Sequence, residues 1–337
     1  MSFQHMLILA ILNFLVIDCS SPTIPIKNNV AKEQDKPNNV VYSCENGRYE
    51  TDLFPQLKKS NDVQYHRGKT MQNTMVDLYM DIFEPENDPV LLRPLVIWAH
   101  GGYFVFGDKG DFHSLCEFVG HKGWVSASID YRKWRKRTLP DSLEYIETAI
   151  RATHDLHAAI RFFKEDAAGE NKYRIDTNKI FVGGYSAGGI MAAQVAYMDR
   201  MKELPPHFQQ LLKANGGLTG KENAPPPKIA GTIIIAGALY NKQMIKTGHH
   251  PPFLGIQGTK DDVVPYDYGW AYSPMGTEVI KLDGTASIHR FNQSLELPST
   301  LLSLPRGDHN APWDNLWQER TLDYIHKFLV ENTCSKE

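Results

Sequence analysis

The stretch GGYSAGG, Gly183 to Gly189, has the residue types and spacing of a serine nucleophile held in a tight turn. A G-x-S-x-G sequence supports nucleophilic chemistry when a strand enters the turn and a helix leaves it. The apolar segment KIFVG precedes Ser186, and a run of small residues with helical character follows it. A helix N-terminus at this point would add free N–H groups beside the hydroxyl. We therefore predict that Ser186 is a catalytic nucleophile rather than a hydroxyl in a glycine-rich turn.

A second motif supplies donors for a developing oxyanion. The sequence HGGY, His100 to Tyr103, directly follows the apolar run PLVIWA. Glycines let the backbone turn and approach a substrate oxygen without a Cβ in the way. We predict that the N–H groups of Gly102 and Tyr103, with that of Ala187, form an oxyanion hole. The alternative is an ordinary glycine turn after a strand. His100 precedes the serine, and we expect it to brace the loop.

The acid and the base should follow the nucleophile in the chain, in the order serine, acid, histidine. The segment IQGTKDD offers Asp261 and Asp262, and LPRGDHN offers Asp308 and His309. Both segments end apolar runs, where parallel sheets gather reactive side chains. We predict that His309 accepts the serine proton and that Asp261 orients its imidazole. The neighbouring Asp262 should face solvent or cap a turn.

Short apolar runs alternate with helical patterns along the chain. Continuous apolar runs are typical of strands buried on both faces, and the alternation with helices favours a largely parallel sheet. The predicted fold is α/β, with a mostly parallel central sheet and helices on both faces. The predicted strands are VDLYMDIF, PLVIWA, WVSASID, KIFVG, GTIIIAG, PFLGIQ and STLLSLP, and the predicted helices are Ser142 to Ala168 and NLWQERTLDYIHKFLV.

The ends and interruptions of this pattern predict the domain organisation. Residues 1–19 contain the apolar run Met6 to Ile17, which is too short to span a bilayer comfortably and is typical of a signal peptide. Residues 20–40 are predicted to be a linker, and residues 41–335 a single catalytic domain. Pro- and Gly-rich insertions near 201–228 and 266–292 are expected to be functional loops or a cap, or else surface elaboration.

The apolar run predicts export to a secreted or periplasmic location, with no stable membrane span in the mature chain. The alternatives are a membrane anchor or an uncleaved segment, and a lipid anchor at Cys19. In an oxidising compartment Cys44 could pair with Cys334, although the sequence does not fix the connectivity. Cys116 is expected to be a small buried apolar residue. The adjacent histidines His249 and His250 have no carboxylate cluster, so a polar loop is favoured over a metal site.

Composition excludes some classes of function. The chain has 337 residues and a formal net charge of −3, which does not indicate nucleic-acid binding. No internal repeat or heptad pattern is present.

Together, LYMDIFEP, PLVIWAHGGYFVFGDK, ASIDYR, DLHAAIRFF, IFVGGYSAGG, GTKDDVVPY and GDH resemble an α/β-hydrolase of the carboxylesterase kind. The related groups are the hormone-sensitive-lipase-like, feruloyl-esterase-like and type B carboxylesterases. The resemblance implies that the aspartate of G-T-x-D, here Asp261, is the triad acid, and it implies no metal or organic cofactor. Many relatives have a third glycine at the position of Tyr103 and an acidic residue at the position of Tyr185. These departures leave the acyl group open.

These motifs predict a serine ester hydrolase that forms an acyl-enzyme on Ser186, which water then cleaves with His309 as the base. The expected substrate is a small-molecule or polysaccharide-linked ester. An amidase or peptidase with the same triad is one alternative. A catalytically silent binding module is a second.

Overall fold

A computed structural model describes residues 44–45, 47–135, 138–248 and 250–334, all within one compact unit. The predicted signal peptide, the linker at residues 20–40, Cys19 and His249 lie outside the described residues, so these interpretations stay predictions. Within the described ranges, no helix combines the length and the apolar character that crossing a bilayer requires.

The central sheet has eight strands in the order β1-β2-β4-β3-β5-β6-β8-β11. Strands β1 and β2 run antiparallel to their neighbours, whereas the other strands are parallel to one another. The predicted mostly parallel sheet is therefore confirmed. In chain order the strands are β1 (Leu57–Lys69), β2 (Met75–Pro85), β3 (Arg93–Ala99), β4 (Val125–Ile129), β5 (Ile175–Tyr185), β6 (Gly231–Ile235), β7 (Ala238–Leu239), β8 (Phe253–Gly258), β9 (Tyr268–Tyr272), β10 (Glu278–Gly284) and β11 (Ser299–Leu304).

Helices cover both faces of this sheet. Successive residues of β3 alternate between two core clusters, one against α2 and α3 and the other against α1 and α6. This alternation follows from the period of two in a strand, and it explains why every residue of β3 is buried. The helices are α1 (His113–Gly120), α2 (Ser142–Ala168), α3 (Ala187–Tyr197), α4 (Pro206–Ala214), α5 (Thr285–Ser294) and α6 (Gln318–Cys334).

Helix α2 occupies the bounds that its sequence pattern predicts. A reciprocal cap fixes its start, because Asp141 Oδ1 accepts from the Glu144 N–H at 2.9 Å and the Glu144 carboxylate accepts from the Asp141 N–H at 3.1 Å. Such a capping box satisfies two N–H groups that would otherwise lack a partner.

The two Pro- and Gly-rich segments contain regular structure. The first, residues 201–228, includes α4. In the second, residues 266–292, β9 and β10 form an antiparallel hairpin that continues through β7 into a small three-stranded sheet. Helix α5 begins at Thr285 and packs beside β8, where Ile288 and Phe253 share a core cluster. The end of this segment therefore belongs to the main α/β layer.

A disulfide joins Cys44 to Cys334, with the Cα atoms 5.8 Å apart. The pairing that the sequence leaves open is thus present in the structure, and it links the segment before β1 to the end of α6. Cys116 lies fully buried in α1, as predicted for a small apolar residue.

Candidate active site

Ser186 lies in the turn between β5 and α3, at the carboxyl edge of the main sheet. Its backbone has φ 56° and ψ −118°, a conformation that non-glycine residues rarely adopt and that occurs at functional turns. A Cβ built on Gly188 would lie 1.9 Å from the carbonyl oxygen of Ala99, and one on Gly184 would lie 2.4 Å from the Gly188 backbone. The turn is therefore as tight as the predicted motif requires, because strand and helix backbones meet without side chains between them.

The structure brings Ser186, His309 and Asp261 together in one hydrogen-bonded series. Nε2 of His309 lies 2.9 Å from Oγ of Ser186, and Nδ1 lies 2.9 Å from each carboxylate oxygen of Asp261. An ionised carboxylate only accepts hydrogen bonds, so this contact requires a proton on Nδ1. Neutral His309 then presents the Nε2 lone pair to the serine hydroxyl. This arrangement can move a proton from Oγ to the imidazole.

Asp261 is fixed by its own loop. Its side chain has 0% exposure. Its Oδ1 accepts from the N–H groups of Val263 at 3.0 Å and Val264 at 2.9 Å, and its Oδ2 accepts from Gln257 Nε2 at 2.9 Å. These three donors hold the carboxylate plane toward His309 and offset the cost of burying its charge.

The other two carboxylates near the acid and base motifs are turned away from the imidazole. Asp262 is exposed, and Oδ1 of Asp308 accepts from the Asn310 N–H at 2.9 Å within its own turn. The geometry therefore separates Asp261 from its sequence neighbour, because adjacent side chains in an extended segment point in different directions.

The HGGY loop runs directly over the nucleophile turn. A Cβ on Gly101 would lie 2.8 Å from the Tyr185 ring and 3.3 Å from Cβ of Ser186. Gly102 has φ +109°, and a Cβ there would lie 2.5 Å from the Phe106 carbonyl oxygen. Both positions thus need glycine for close approach.

Three N–H groups near Ser186 have no backbone acceptor in the part of the chain that the structure describes. Among the described residues, the N–H groups of Gly102 and Tyr103 donate no hydrogen bond. Ala187 is the first residue of α3, so its N–H has no acceptor inside the helix. Tyr103, Ser186 and Ala187 also line one cavity. These groups are available to an anionic oxygen, and they are the three donors that the sequence predicts.

His100 supports the loop from below. Its ring stacks on Tyr131 with centroids 4.2 Å apart, and its Nδ1 lies 2.6 Å from the Gly101 carbonyl oxygen. The Tyr131 hydroxyl donates to the His100 carbonyl oxygen at 2.9 Å. Burial lowers the pKa of His100, which keeps the ring neutral in this bracing position.

Tyr185 has a role that the sequence did not indicate. Its hydroxyl donates to Asn310 Oδ1 at 2.7 Å, and its ring lies 5.2 Å from the His309 ring. Burial, followed by the charge of Asp261, raises the pKa of Tyr185, so the hydroxyl keeps its proton. The residue preceding Ser186 thus holds the loop that carries His309.

A largely apolar cavity opens beside Ser186. Its volume is about 110 Å³. Its walls come from α2, α3, α4, β9 and β10, so the insertions close one side of the site. The sequence predicted functional loops or a cap here but not the apolar lining residues, which include Ile150, Met198, Phe208, Leu212, Ile280 and Leu282.

The structure describes His250 but not His249. Nδ1 of His250 lies 3.1 Å from the Ala196 carbonyl oxygen, a contact to the backbone. Within the described ranges, no group of three His, Cys, Asp or Glu side chains is arranged to hold a metal ion.

Comparisons with known proteins add an independent line. A family model described as BD-FAE matches residues 80–221, which contain the HGGY loop and Ser186 but neither Asp261 nor His309. Esterase LipC of Mycobacterium tuberculosis is 24% identical over 225 residues, which are 60% of this chain and 53% of LipC. Esterase LipI of the same organism is 34% identical over 121 residues, which are 35% of this chain and 33% of LipI.

A solved structure extends the likeness over most of the chain. The apo form of Thermogutta terrifontis esterase 2 aligns with a TM-score of 0.57 and 21% identity, covering 84% of this chain and 97% of that one. The chain has the α/β-hydrolase fold. The resemblance drawn from the sequence motifs is confirmed, since the relatives of this α/β-hydrolase are named esterases. The α/β-hydrolase spans about half of the length of LipC and a third of LipI.

Proposed function

We propose that this α/β-hydrolase is a serine carboxylic ester hydrolase. The observation that carries the proposal is the series from Ser186 Oγ through His309 to Asp261, in which Oγ and Nε2 are 2.9 Å apart. The esterase relatives support the same class of reaction.

In the proposed first step, Ser186 Oγ attacks the ester carbonyl carbon while its proton passes to Nε2 of His309. The carbonyl oxygen becomes an oxyanion and accepts hydrogen bonds from the N–H groups of Gly102, Tyr103 and Ala187. The C–O bond to the alcohol then breaks, and His309 gives its proton to the departing oxygen.

In the second step, water attacks the acyl carbon while His309 takes a proton from it. The bond between the acyl carbon and Oγ then breaks, and His309 returns the proton to Oγ as the acid leaves. Asp261 stays ionised throughout and stabilises the imidazolium that forms in each step.

The cavity supports a substrate class within the predicted range. Apolar walls next to the nucleophile favour a small-molecule ester with an apolar acyl or alcohol group. A short acetyl group on a polysaccharide would leave most of these walls uncovered.

A labelling experiment tests the nucleophile. A fluorophosphonate probe should modify the wild-type protein and the Ser294→Ala control but not Ser186→Ala. Ser294 is exposed at the end of α5, away from the proposed triad. Hydrolysis by Ser186→Ala should fall by at least about a thousandfold. Labelling that persists in Ser186→Ala would overturn the assignment.

A matched pair of substrates tests the class of bond. An aryl ester and the anilide of the same acid should differ, with kcat/KM higher for the ester. Faster cleavage of the anilide would instead assign amide hydrolysis to the same triad. Absence of both labelling and turnover would favour a silent binding module.

We propose an extracytoplasmic location, as the apolar run near the N-terminus predicts. The Cys44–Cys334 disulfide supports this proposal, because structural disulfides persist in oxidising compartments. Fractionation of the native host, with the secreted and cytosolic fractions assayed for the chain, tests it; recovery in the cytosol alone would overturn it.

A further inference from the structure

Three residues that line the cavity beside Ser186 each carry a buried polar atom. These atoms are Oη of Tyr145, Nε2 of His154 and Oε1 of Gln194, and none has a hydrogen-bond partner among the described residues. The three residues are more than nine-tenths buried, with exposures of 6%, 2% and 7%. A buried polar atom without a partner costs about 1–3 kcal/mol, so three in one cavity require an explanation.

The second polar side-chain atoms of Gln194 and His154 are engaged with the fold. Gln194 Nε2 donates to the Ala238 carbonyl oxygen at 3.3 Å, which assigns the free atom as Oε1. The His154 ring interacts with the backbone of Gly217, and because Nε2 has no partner this contact falls to Nδ1. A proton on Nδ1 leaves a lone pair on Nε2. Both free atoms are therefore acceptors.

His154 keeps one protonation state at pH values near 7. Burial, helped by nearby guanidinium groups, lowers the pKa of His154 to about 3. The ring stays neutral near pH 7 and offers an acceptor rather than a charge. In contrast, burial raises the pKa of Tyr145 to about 12, so its hydroxyl keeps a proton to donate.

The fold places the two acceptor residues away from the edge of the sheet that carries Ser186. Helix α2 joins β4 to β5, and α3 joins β5 to β6, and these strands are parallel. Both helices must therefore run from the catalytic edge of the sheet back toward the opposite edge. Gln194 lies eight residues beyond Ser186, or about 12 Å along the helix axis.

Residues on α2 follow the same order. Tyr145 lies in the first turn, near Tyr103, and interacts electrostatically with it. His154 lies nine residues further, or about 14 Å along α2. The donor hydroxyl of Tyr145 is thus at the catalytic end, and the two acceptors are at the inner end.

Resting on the proposed esterase function, we propose that this cavity recognises an ester whose apolar chain carries a hydroxyl group near its far end, with His154 Nε2 and Gln194 Oε1 as the acceptors. A plain alkyl chain would cover both acceptors and leave them unpaired. A hydroxylated chain would bury the same apolar surface and pair them. The two residues would therefore determine specificity, separately from the triad.

The test compares ω-hydroxy acyl esters of increasing chain length with their unsubstituted counterparts, and repeats the comparison with the hydroxyl on the alcohol chain. For the series that enters the cavity, the wild type should prefer the hydroxylated ester by about tenfold in kcat/KM. The preference should peak where the hydroxyl lies roughly 12 Å from the ester carbonyl.

Variants remove the acceptors while keeping apolar bulk. His154→Leu and Gln194→Met, singly and together, should reduce the hydroxyl preference toward one. Gln194→Met has a similar length and keeps the test valid if His154→Leu does not fold. Thr153→Val is the matched control, because Thr153 lines the same cavity but its hydroxyl already donates to the Ala149 carbonyl oxygen at 2.8 Å. It should leave the preference unchanged.

Binding to Ser186→Ala separates this inference from the proposed function. Calorimetry with the ω-hydroxy acid or diol and its plain analogue measures the preference without turnover. The inference would be overturned if Ser186→Ala bound the hydroxylated and plain ligands equally and the wild type hydrolysed the two kinds of ester with equal kcat/KM. The esterase proposal would then remain intact. A binding preference without any hydrolysis would support the inference and overturn the esterase.

Discussion

Asp261 faces His309 with both carboxylate oxygens 2.9 Å from Nδ1, whereas the next residue, Asp262, is exposed to solvent. The two acids are adjacent and chemically identical, so their separation is a property of the loop. Three donors on Asp261 fix that loop in one register.

Exchanging each acid for its amide tests the register. Asp261→Asn should lower kcat by up to about ten-thousandfold, because the amide no longer holds the proton on Nδ1. Asp262→Asn should lower kcat by less than about tenfold. Circular dichroism must show that both variants are folded. A crippled Asp262→Asn beside an active Asp261→Asn would place the acid one residue later.

Most of the candidate site could be predicted from local sequence motifs. Ser186, the HGGY loop and the acid and base loops each lie within a few residues of a buried strand end, so strand prediction alone brings them to one edge. Tyr145, His154 and Gln194 lie inside helices, and no local signal marks them. They meet only because α2 and α3 run side by side over the sheet.

There is a physical reason why the sequence pattern did not predict strand β1. Its register against β2 shifts between Ser60 and Val63 and again between Gln64 and His66. Each shift breaks the period of two, so Leu57 to Lys69 shows no alternation of apolar and polar residues. The edge strand also buries little apolar surface, which removes the second signal that marks a strand.

The contact between α3 and β3 should tolerate no side chain at Gly188. Gly188→Ala would place a Cβ 1.9 Å from the Ala99 carbonyl oxygen and 2.7 Å from that of His100. Backbone atoms cannot move aside, so we expect a loss of more than about 4 kcal/mol in the free energy of unfolding. The control is Gly169→Ala, whose nearest contact would be 3.5 Å. Denaturant titration compares the two, and equal midpoints would contradict the packing argument.

Folding stability should fall as the pH is lowered below about 6.5. Burial lowers the pKa of His157 and of His154 from 6.5 to about 3, with the Arg161 guanidinium adding to both effects. Between these values the unfolded chain binds protons that the folded chain does not. Each histidine then destabilises the fold by up to about 1.4 kcal/mol per pH unit, and this contribution is absent above pH 6.5.

His157→Gln tests this pH dependence. The variant should lose stability less steeply than the wild type between about pH 6.5 and pH 3, in urea titrations at successive pH values. The comparison uses the difference between the two curves, because carboxylates titrate in both proteins. Parallel curves would show that His157 does not titrate as its burial requires.

Reducing the disulfide should destabilise the fold. Cys44 and Cys334 are separated by 290 positions, and closing so long a loop contributes about 5.7 kcal/mol in the chain-entropy model. Cys44→Ser should unfold at lower denaturant concentration than the oxidised wild type, and reductant should affect only the wild type. Intact-mass measurement with and without reductant reports the bond directly. Identical midpoints would show that the link adds no stability.

The same bond also changes the topology of the chain, because the polypeptide from Cys44 to Cys334 is a covalently closed ring. Lys221 lies exposed between Ser186 and Asp261. A protease that cuts after it would separate Ser186 from Asp261 and His309 in sequence while leaving both halves joined through the disulfide. The nicked molecule would keep the mass of one chain plus one water until it is reduced. Hydrolysis of a single peptide bond within the ring would therefore open the ring without releasing a fragment.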